Sequence, residues 1–419
     1  MGASKKKANH FKTSKKTSKK KDTREVLSFE ELPLDEYEKK DKNKDKKKIK
    51  IKLDKKKIIM ALAILLILVL SVIVFFNRDT LLNCRGKDPE AHNFTANISG
   101  TSVDNGNFRT FAQGLCYASD VDFVYLNSEG DEQYSRQHSM ANPVLKTRGD
   151  YAIVYDLGAD RFSIYNDEGH KFSAKTQEKI FLADIDSSGN YILVTKAKDY
   201  NAKLYAFNSE NNAKYTYSFA DYQITAAAMN NSGDGAVLCG VSADKGSKIS
   251  AVYVISFSSK EPVAKREISD DLLYDCEFLT DNSVCAIGQE GAYVCSGNRF
   301  GKLSKVSYDG KSLTAYDMNT STGTLVLSLS RSGDGHNCNI SFVNSTGSIR
   351  TVVETSYGIT SVSSYKDRVA FSDKNNVYLY NSNGNSVASC SISSVKQVKL
   401  FTTNGLYLLG HNGITGVAL

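Results

Sequence analysis

The chain has 419 residues, of which 41% are apolar and 24% charged, a length that exceeds one ordinary domain. Its charge is divided: residues 1–57 hold 22 Lys and Arg against 10 Asp and Glu, a net of +12. Taken from the totals of 53 and 46, this leaves 31 against 36 in residues 58–419, a net of −5, which excludes reading the overall +7 as a basic body.

Residues 1–57 are low-complexity Lys, Ser, Thr and Asp with almost nothing to bury, so the reading is a disordered tail. No aromatic platform interleaves its basic runs, and no nucleic-acid partner is expected. Gly2 does not open a myristoylation motif, because Lys6 stands where Ser or Thr is needed. Next comes IIMALAILLILVLSVIVFF, Ile58 to Phe76, without a charge. Nineteen helical residues span about 28 Å, close to a bilayer's hydrocarbon core, and the segment is apolar all round. A single transmembrane helix is therefore expected. Lys46, Lys47, Lys48, Lys50, Lys52, Lys55, Lys56 and Lys57 precede it, while Arg78, Asp79 and Arg85 are sparse beyond it. That asymmetry predicts a cytoplasmic N-terminus, a signal-anchor, single-pass topology and an extracellular C-terminal body, with the lysines touching anionic lipid.

After a linker over residues 77–90, short strands broken by Gly, Asn, Asp and Ser fill residues 91–419, with no sustained helical period. One phrase recurs: FVYLNSEGDEQY from Phe123, FSIYNDEGHKF from Phe162, ISFVNSTGSIR from Ile340 and NVYLYNSNGNSV from Asn376. The associated glycines are Gly130, Gly169, Gly301, Gly347 and Gly384, and the 254 residues from first to last divide into six intervals of about 42. Two copies, from Leu204 and Val252, keep the strands and lose the glycine. A second phrase falls one hairpin earlier, as in FLADIDSSGNYILV from Phe181 and AAAMNNSGDGAVL from Ala226. Together they predict a four-stranded antiparallel meander, A to D, with a turn between C and D that needs positive φ.

Such a meander cannot bury both faces alone, and radial stacking accounts for the repetition. The expected fold is an all-β propeller of eight blades, with seven as the alternative. Complete units begin near Asn107, Asn142, Ile180, Ile224, Leu272, Ser312 and Gly358. The eighth, from Val395, has only three strands, and NFTANISG (Asn93 to Gly100) is expected to donate its outer strand.

No catalytic, cofactor-binding or metal-ligating set emerges, and no cofactor is expected. Asp184, Asp186, Ser188 and Gly189 sketch a calcium loop, but Lys196 and Ala197 stand where its last acidic ligand belongs, so a turn is the simpler reading. Ser242–Lys245, Ser363–Lys366 and Ser393–Lys396 match Ser-x-x-Lys outside any helix. His92, His138, His170, His336 and His411 show no ligand spacing. The eight cysteines form no C-x-x-C pair; Cys276, Cys285 and Cys295 lie on successive strands, where a bridge is conceivable and packed thiols are favoured.

The stretch SMANPVLKTRGDYAIVYDLGADRFSIYNDEG from Ser139, with its Asn142 to Lys146 patch, resembles a domain-of-unknown-function family of membrane-anchored, propeller-like proteins of Gram-positive anaerobes. More distantly the blades resemble quinoprotein-dehydrogenase-like propellers, whose paired cysteines and Trp docking motif have no counterpart here. The resemblance implies architecture and location, and no activity. The expected function is an extracytoplasmic binding or scaffold module for an envelope protein or glycan. Its recognition loops would be the B–C loops from Asp156, Lys196, Ser242, Ser330 and Ser372. The alternative is a hydrolase or lyase acting on wall polysaccharide, with Asp184, Asp186, Asp275, Glu277 and Asp317 converging on the central channel.

Overall fold

A computed structural model describes residues 90–419, apart from 245, 332–334 and the side chain of Asp244. The expected tail, the apolar segment Ile58–Phe76 and nearly all of the linker lie outside the described residues. Among the described residues no helix is long and apolar enough to cross a membrane, and the one helical element is a single 3-10 turn, Asn298–Phe300.

Eight antiparallel four-stranded sheets make up the body. The innermost A strands, one per blade, are Val103–Phe111, Pro143–Arg148, Ile180–Ile185, Gln223–Met229, Leu273–Thr280, Ser312–Asn319, Ser361–Tyr365 and Gln397–Leu400. Seven blades are consecutive meanders. Blade 8 takes strands A, B and C from the C-terminus and its outer strand, Phe94–Asn97, from the start of the domain. The closing register pairs Phe94 with Gly416 and Asn97 with Gly413. Both the eight-blade count and the donated strand match the sequence expectation.

Burial follows strand position. In blade 5, strands B (Ser283–Gly288) and C (Gly291–Ser296) are buried at every residue, because both faces meet a neighbouring blade. Outer strands alternate: in Ile349–Glu354 every second residue from Arg350 on is exposed. Eight apolar clusters fill the eight interfaces, one of them joining blade 8 to blade 1 through Phe401, Tyr407, Phe108 and Tyr117. Each blade buries its faces only in company, and the ring has no end.

The C–D turns show why the phrase recurs. Asn127 Oδ1 accepts the N–H groups of Glu129 (3.0 Å) and Asp131 (2.9 Å), and Asn344 and Asn381 repeat the device. Gly130 supplies the left-handed residue, φ +88°, and a Cβ there would sit 2.2 Å from the Phe94 ring. In blade 3, Asn211 at φ +65° replaces the glycine. Two expectations need correction. Gly301 has φ −72°, and the left-handed backbone of that turn lies instead at Gly297, Arg299 and Phe300, around the 3-10 turn. The stretch from Ser242 is not a loop: strands Gly235–Asp244 and Ser247–Ser256 run on through it as an extended hairpin.

Candidate functional site

The A strands of all blades surround a central cavity of about 440 Å³. Its wall is polar, and the charges are segregated. Asp184 (blade 3), Asp275 and Glu277 (blade 5) and Asp317 (blade 6) stand on one side; Arg109 (blade 1), Lys146 and Arg148 (blade 2), Lys396 and Lys399 (blade 8) stand on the other.

Arg148 crosses between the halves. Its Nη2 donates to both carboxylate oxygens of Glu277, at 3.1 and 3.0 Å, and lies 3.6 Å from Asp184. Its Nη1 donates to Asn231 Oδ1 at 3.1 Å, in the A–B turn of blade 4. One guanidinium thus ties blade 2 to blades 3, 4 and 5. Because Arg148 ends its strand and Asn231 sits in a turn, this knot lies at the A–B end of the channel and forms its floor. Burial opposes the guanidinium's charge, but Glu277 and Asp184 outweigh it and hold Arg148 protonated above its ordinary value. Desolvation pushes the Glu277 carboxyl up, against the pull of Arg148, and the charge of Asp184 adds to the rise. A single cation faces two carboxylates, so one of them holds its proton more tightly.

The other acids serve the frame. Asp184 Oδ2 accepts the Met229 N–H of the next blade at 2.8 Å. Asp317 Oδ2 accepts both the N–H (2.8 Å) and the hydroxyl of Ser364, also one blade on. Asp275 Oδ2 accepts the Tyr316 hydroxyl at 2.7 Å; burial first, then the Asp275 charge, raises that phenol well above its usual value. Uncharged A-strand residues do the same work: Asn107 accepts the Leu145 N–H at 2.9 Å, and Ser361 and Ser363 accept those of Val398 (3.1 Å) and Leu400 (3.0 Å). Side chains from five A-strand positions or more thus stitch one blade's inner edge to the next, satisfying backbone donors that no ladder bond reaches.

Asp186, expected near the axis, does not reach the channel. It is buried in the A–B turn of blade 3, where Oδ1 accepts the N–H groups of Ser188 and Asn190, both at 2.8 Å. Asp184 and Asp186 therefore diverge, and among the described residues no cluster of His, Cys, Asp or Glu could hold a metal ion. The Ser363 hydroxyl accepts the Leu400 N–H, a frame role within its Ser-x-x-Lys match. Cys116, Cys239, Cys276, Cys285, Cys295 and Cys338 are buried free thiols; burial pushes the Cys276 thiol well up, which suits packing over reactivity.

At the opposite end lie the B–C and D–A connections. Among the described residues nine large apolar side chains are exposed, and the three aromatic ones, Tyr200, Tyr274 and Tyr357, all sit at this end. Tyr200 belongs to the B–C connection of blade 3, Tyr274 to the start of an A strand, and Tyr357 to the link between blades 6 and 7. Tyr357 stacks on Tyr378 with centroids 4.6 Å apart. Two grooves, together spanning blades 6, 7, 8 and 1, meet here at Thr360, Lys374 and Asn375.

A family of unknown function, DUF5711, matches residues 90–419. The chain belongs to that family. No curated protein matches its sequence. Among solved structures it is similar to BamB from Moraxella catarrhalis, with 12% identity and a TM-score of 0.48 over 78% of this chain and 100% of that one. It is also similar to the Cps50 (Swd1) β-propeller domain of Myceliophteria thermophila, with 11% identity and a TM-score of 0.47 over 78% and 100%. A third is Chaetomium thermophilum Sqt1, bound in its structure to the N-terminus of ribosomal protein L10, with 12% identity and a TM-score of 0.48 over 75% and 92%.

For this DUF5711 chain, sequence reading singled out the acids of the channel and missed the cations. Arg109, Lys146, Arg148, Lys396 and Lys399 all stand in or beside A strands of three neighbouring blades. Aligning the A strands by unit would have shown bases in blades 8, 1 and 2 where blades 3, 5 and 6 carry acids.

Proposed function

We propose that this protein is a membrane-anchored binding module, its propeller outside the cytoplasm, gripping an envelope protein through the face made by the B–C and D–A connections. The observation that carries the reading is the placement of Tyr200, Tyr274 and Tyr357. Every exposed aromatic among the large apolar residues described lies on that face, while the exposed apolar residues of the outer strands, such as Ile349, Val352 and Val387, are aliphatic. Aromatic side chains offer large contact area with a polar handle and are enriched where proteins bind proteins. The apolar stretch Ile58–Phe76 and its lysine flank support the anchor and its orientation.

Hydrolysis or lysis of a wall polysaccharide would need two carboxylates free to exchange protons with a substrate. Asp184 and Glu277 are held by Arg148, Asp317 by Ser364 and Asp275 by Tyr316, so the acid wall favours the frame over that chemistry.

The test is crosslinking in intact cells of the source organism, comparing the wild-type chain with a Tyr200→Ala/Tyr357→Ala variant and an Ile349→Ser/Val352→Ser control. Loss of the crosslinked protein in the first variant alone is expected. Retention there, or loss only in the control, would place recognition elsewhere. Protease added to intact cells should cut the propeller, and complete protection would overturn the orientation.

A further inference from the structure

The two walls of the channel are not equivalent. Each acid has a partner, but no ion pair among the described residues reaches Arg109, Lys146, Lys396 or Lys399. Arg109 Nε donates to the carbonyl of Gly106 on its own strand at 2.9 Å, and among the described residues neither terminal nitrogen has a protein acceptor. Meanwhile exposed cations elsewhere, such as Lys265 with Glu267 at 2.9 Å, are paired. A cation enclosed by protein without a counter-charge is costly and is normally paired or hydrogen-bonded. Here three neighbouring blades bring several to one wall. Burial depresses the Lys399 ammonium below its usual value; the charge of Asp317 opposes this, and the nearby charges of Arg109 and Lys146 add to the depression.

The shape suits a ligand. The Arg148 knot closes the A–B end, and the cavity opens toward the loop face past Lys396 and Gln397, beside a groove lined by Lys374 and His411. Its volume of about 440 Å³ falls in the range of small-molecule sites, roughly 300–1,000 Å³. Two cations on adjacent strands are brought level by the stitching of blade 1 to blade 2, where Asn107 binds Leu145 N–H and Thr147 donates to Thr110 O at 3.0 Å.

We propose that the wall formed by Arg109, Lys146 and Lys399 is an anion site that takes a small multivalent oxyanion, a polycarboxylate or a phosphate-bearing molecule, entering from the loop face. The ligand supplies the negative charge the wall lacks. The acids opposite repel a second anion and confine the ligand's charge to one side of the channel. Tyr274 of the loop face also lines the cavity, but the anion site rests on the cations of the wall and not on the protein-binding reading.

The experiment uses the purified full-length chain in detergent, titrated calorimetrically with citrate and with inorganic phosphate against sodium chloride at matched ionic strength, alongside thermal melts. Saturable binding of one or both, with a rise in Tm, is expected; citrate alone assigns a carboxylate ligand, phosphate alone a phosphoryl one. Lys399→Met and Lys146→Gln should each weaken binding about tenfold or more, as loss of a charge-assisted hydrogen bond requires. Lys171→Met, on an exposed outer strand, should bind as wild type does. Without ligand, Lys399→Met should melt above wild type, because burial and the neighbouring cations outweigh Asp317 in opposing the ammonium's charge. No saturable binding beyond the chloride control, or unchanged binding in Lys399→Met and Lys146→Gln, overturns the proposal.

Discussion

The acid half and the basic half of the channel look alike in sequence: single charges at alternating positions of short inner strands. In space they differ. The acids accept bonds from the next blade or from Arg148, so their charge is part of how the ring holds together. Arg148 apart, the bases on blades 8, 1 and 2 have no carboxylate partner among the described residues. The contrast teaches that one side of a polar channel wall can hold the ring together while the other side only faces the cavity. A substitution experiment separates the two, because frame charges stabilise the fold and ligand charges do not.

The largest effect is expected at the point where the halves meet. Arg148→Met leaves Asp184 and Glu277 facing each other with no cation between them. Breaking a buried pair by removing one partner costs about 3–5 kcal/mol, and urea unfolding of the full chain at neutral pH should show a loss of that order. Adding Glu277→Gln should recover much of it, since the second change removes the orphaned charge. Additive losses would mean that Arg148 acts through packing and not through charge.

A smaller loss is expected from Asp317→Ala, which strands the Ser364 N–H and hydroxyl at the joint between blades 6 and 7. Leaving such donors unsatisfied costs about 1–3 kcal/mol. Asp317→Asn, which keeps one acceptor oxygen, should lose less. If hydrogen exchange at Ser364 is unchanged in Asp317→Ala, the stitching role fails.

How far the sequence foretold this molecule depends on the range of the interaction. Strand repetition, the C–D turns and the donated strand Phe94–Asn97 were legible, because each rests on a local pattern: apolar runs, Asn before Gly, and a unit missing one strand. Even there, local degeneracy misled at Gly301, where the neighbouring Gly297 and Arg299 take up the turn. The channel acids were legible as a set, but their roles were not. Arg148 and Glu277 are 129 residues and three blades apart, and nothing in the spacing of either marks the other. A lysine on an inner strand reads the same as one on a solvated edge, so Lys146 and Lys399 became visible only once the ring closed around them.

The smallest expected effect has the opposite sign and sharpens the comparison most. In Lys399 the folded chain lowers the ammonium's affinity for its proton, mainly by burial. A depressed folded value means that the unfolded chain binds the proton more tightly. Stability of the wild type should therefore rise as pH climbs from the lowered value toward the ordinary 10.5, and the cost of the charge is fully felt below that window. Lys399→Met never carries the charge, so it should be the more stable protein at neutral pH, with the gap narrowing as the solution is made alkaline. Paired unfolding curves across that range, in a buffer without multivalent anions, make the check. A gap that is constant with pH would trace the gain to the methionine's apolar packing, and a wild type more stable than the variant at neutral pH would return Lys399 to the frame beside Asp317.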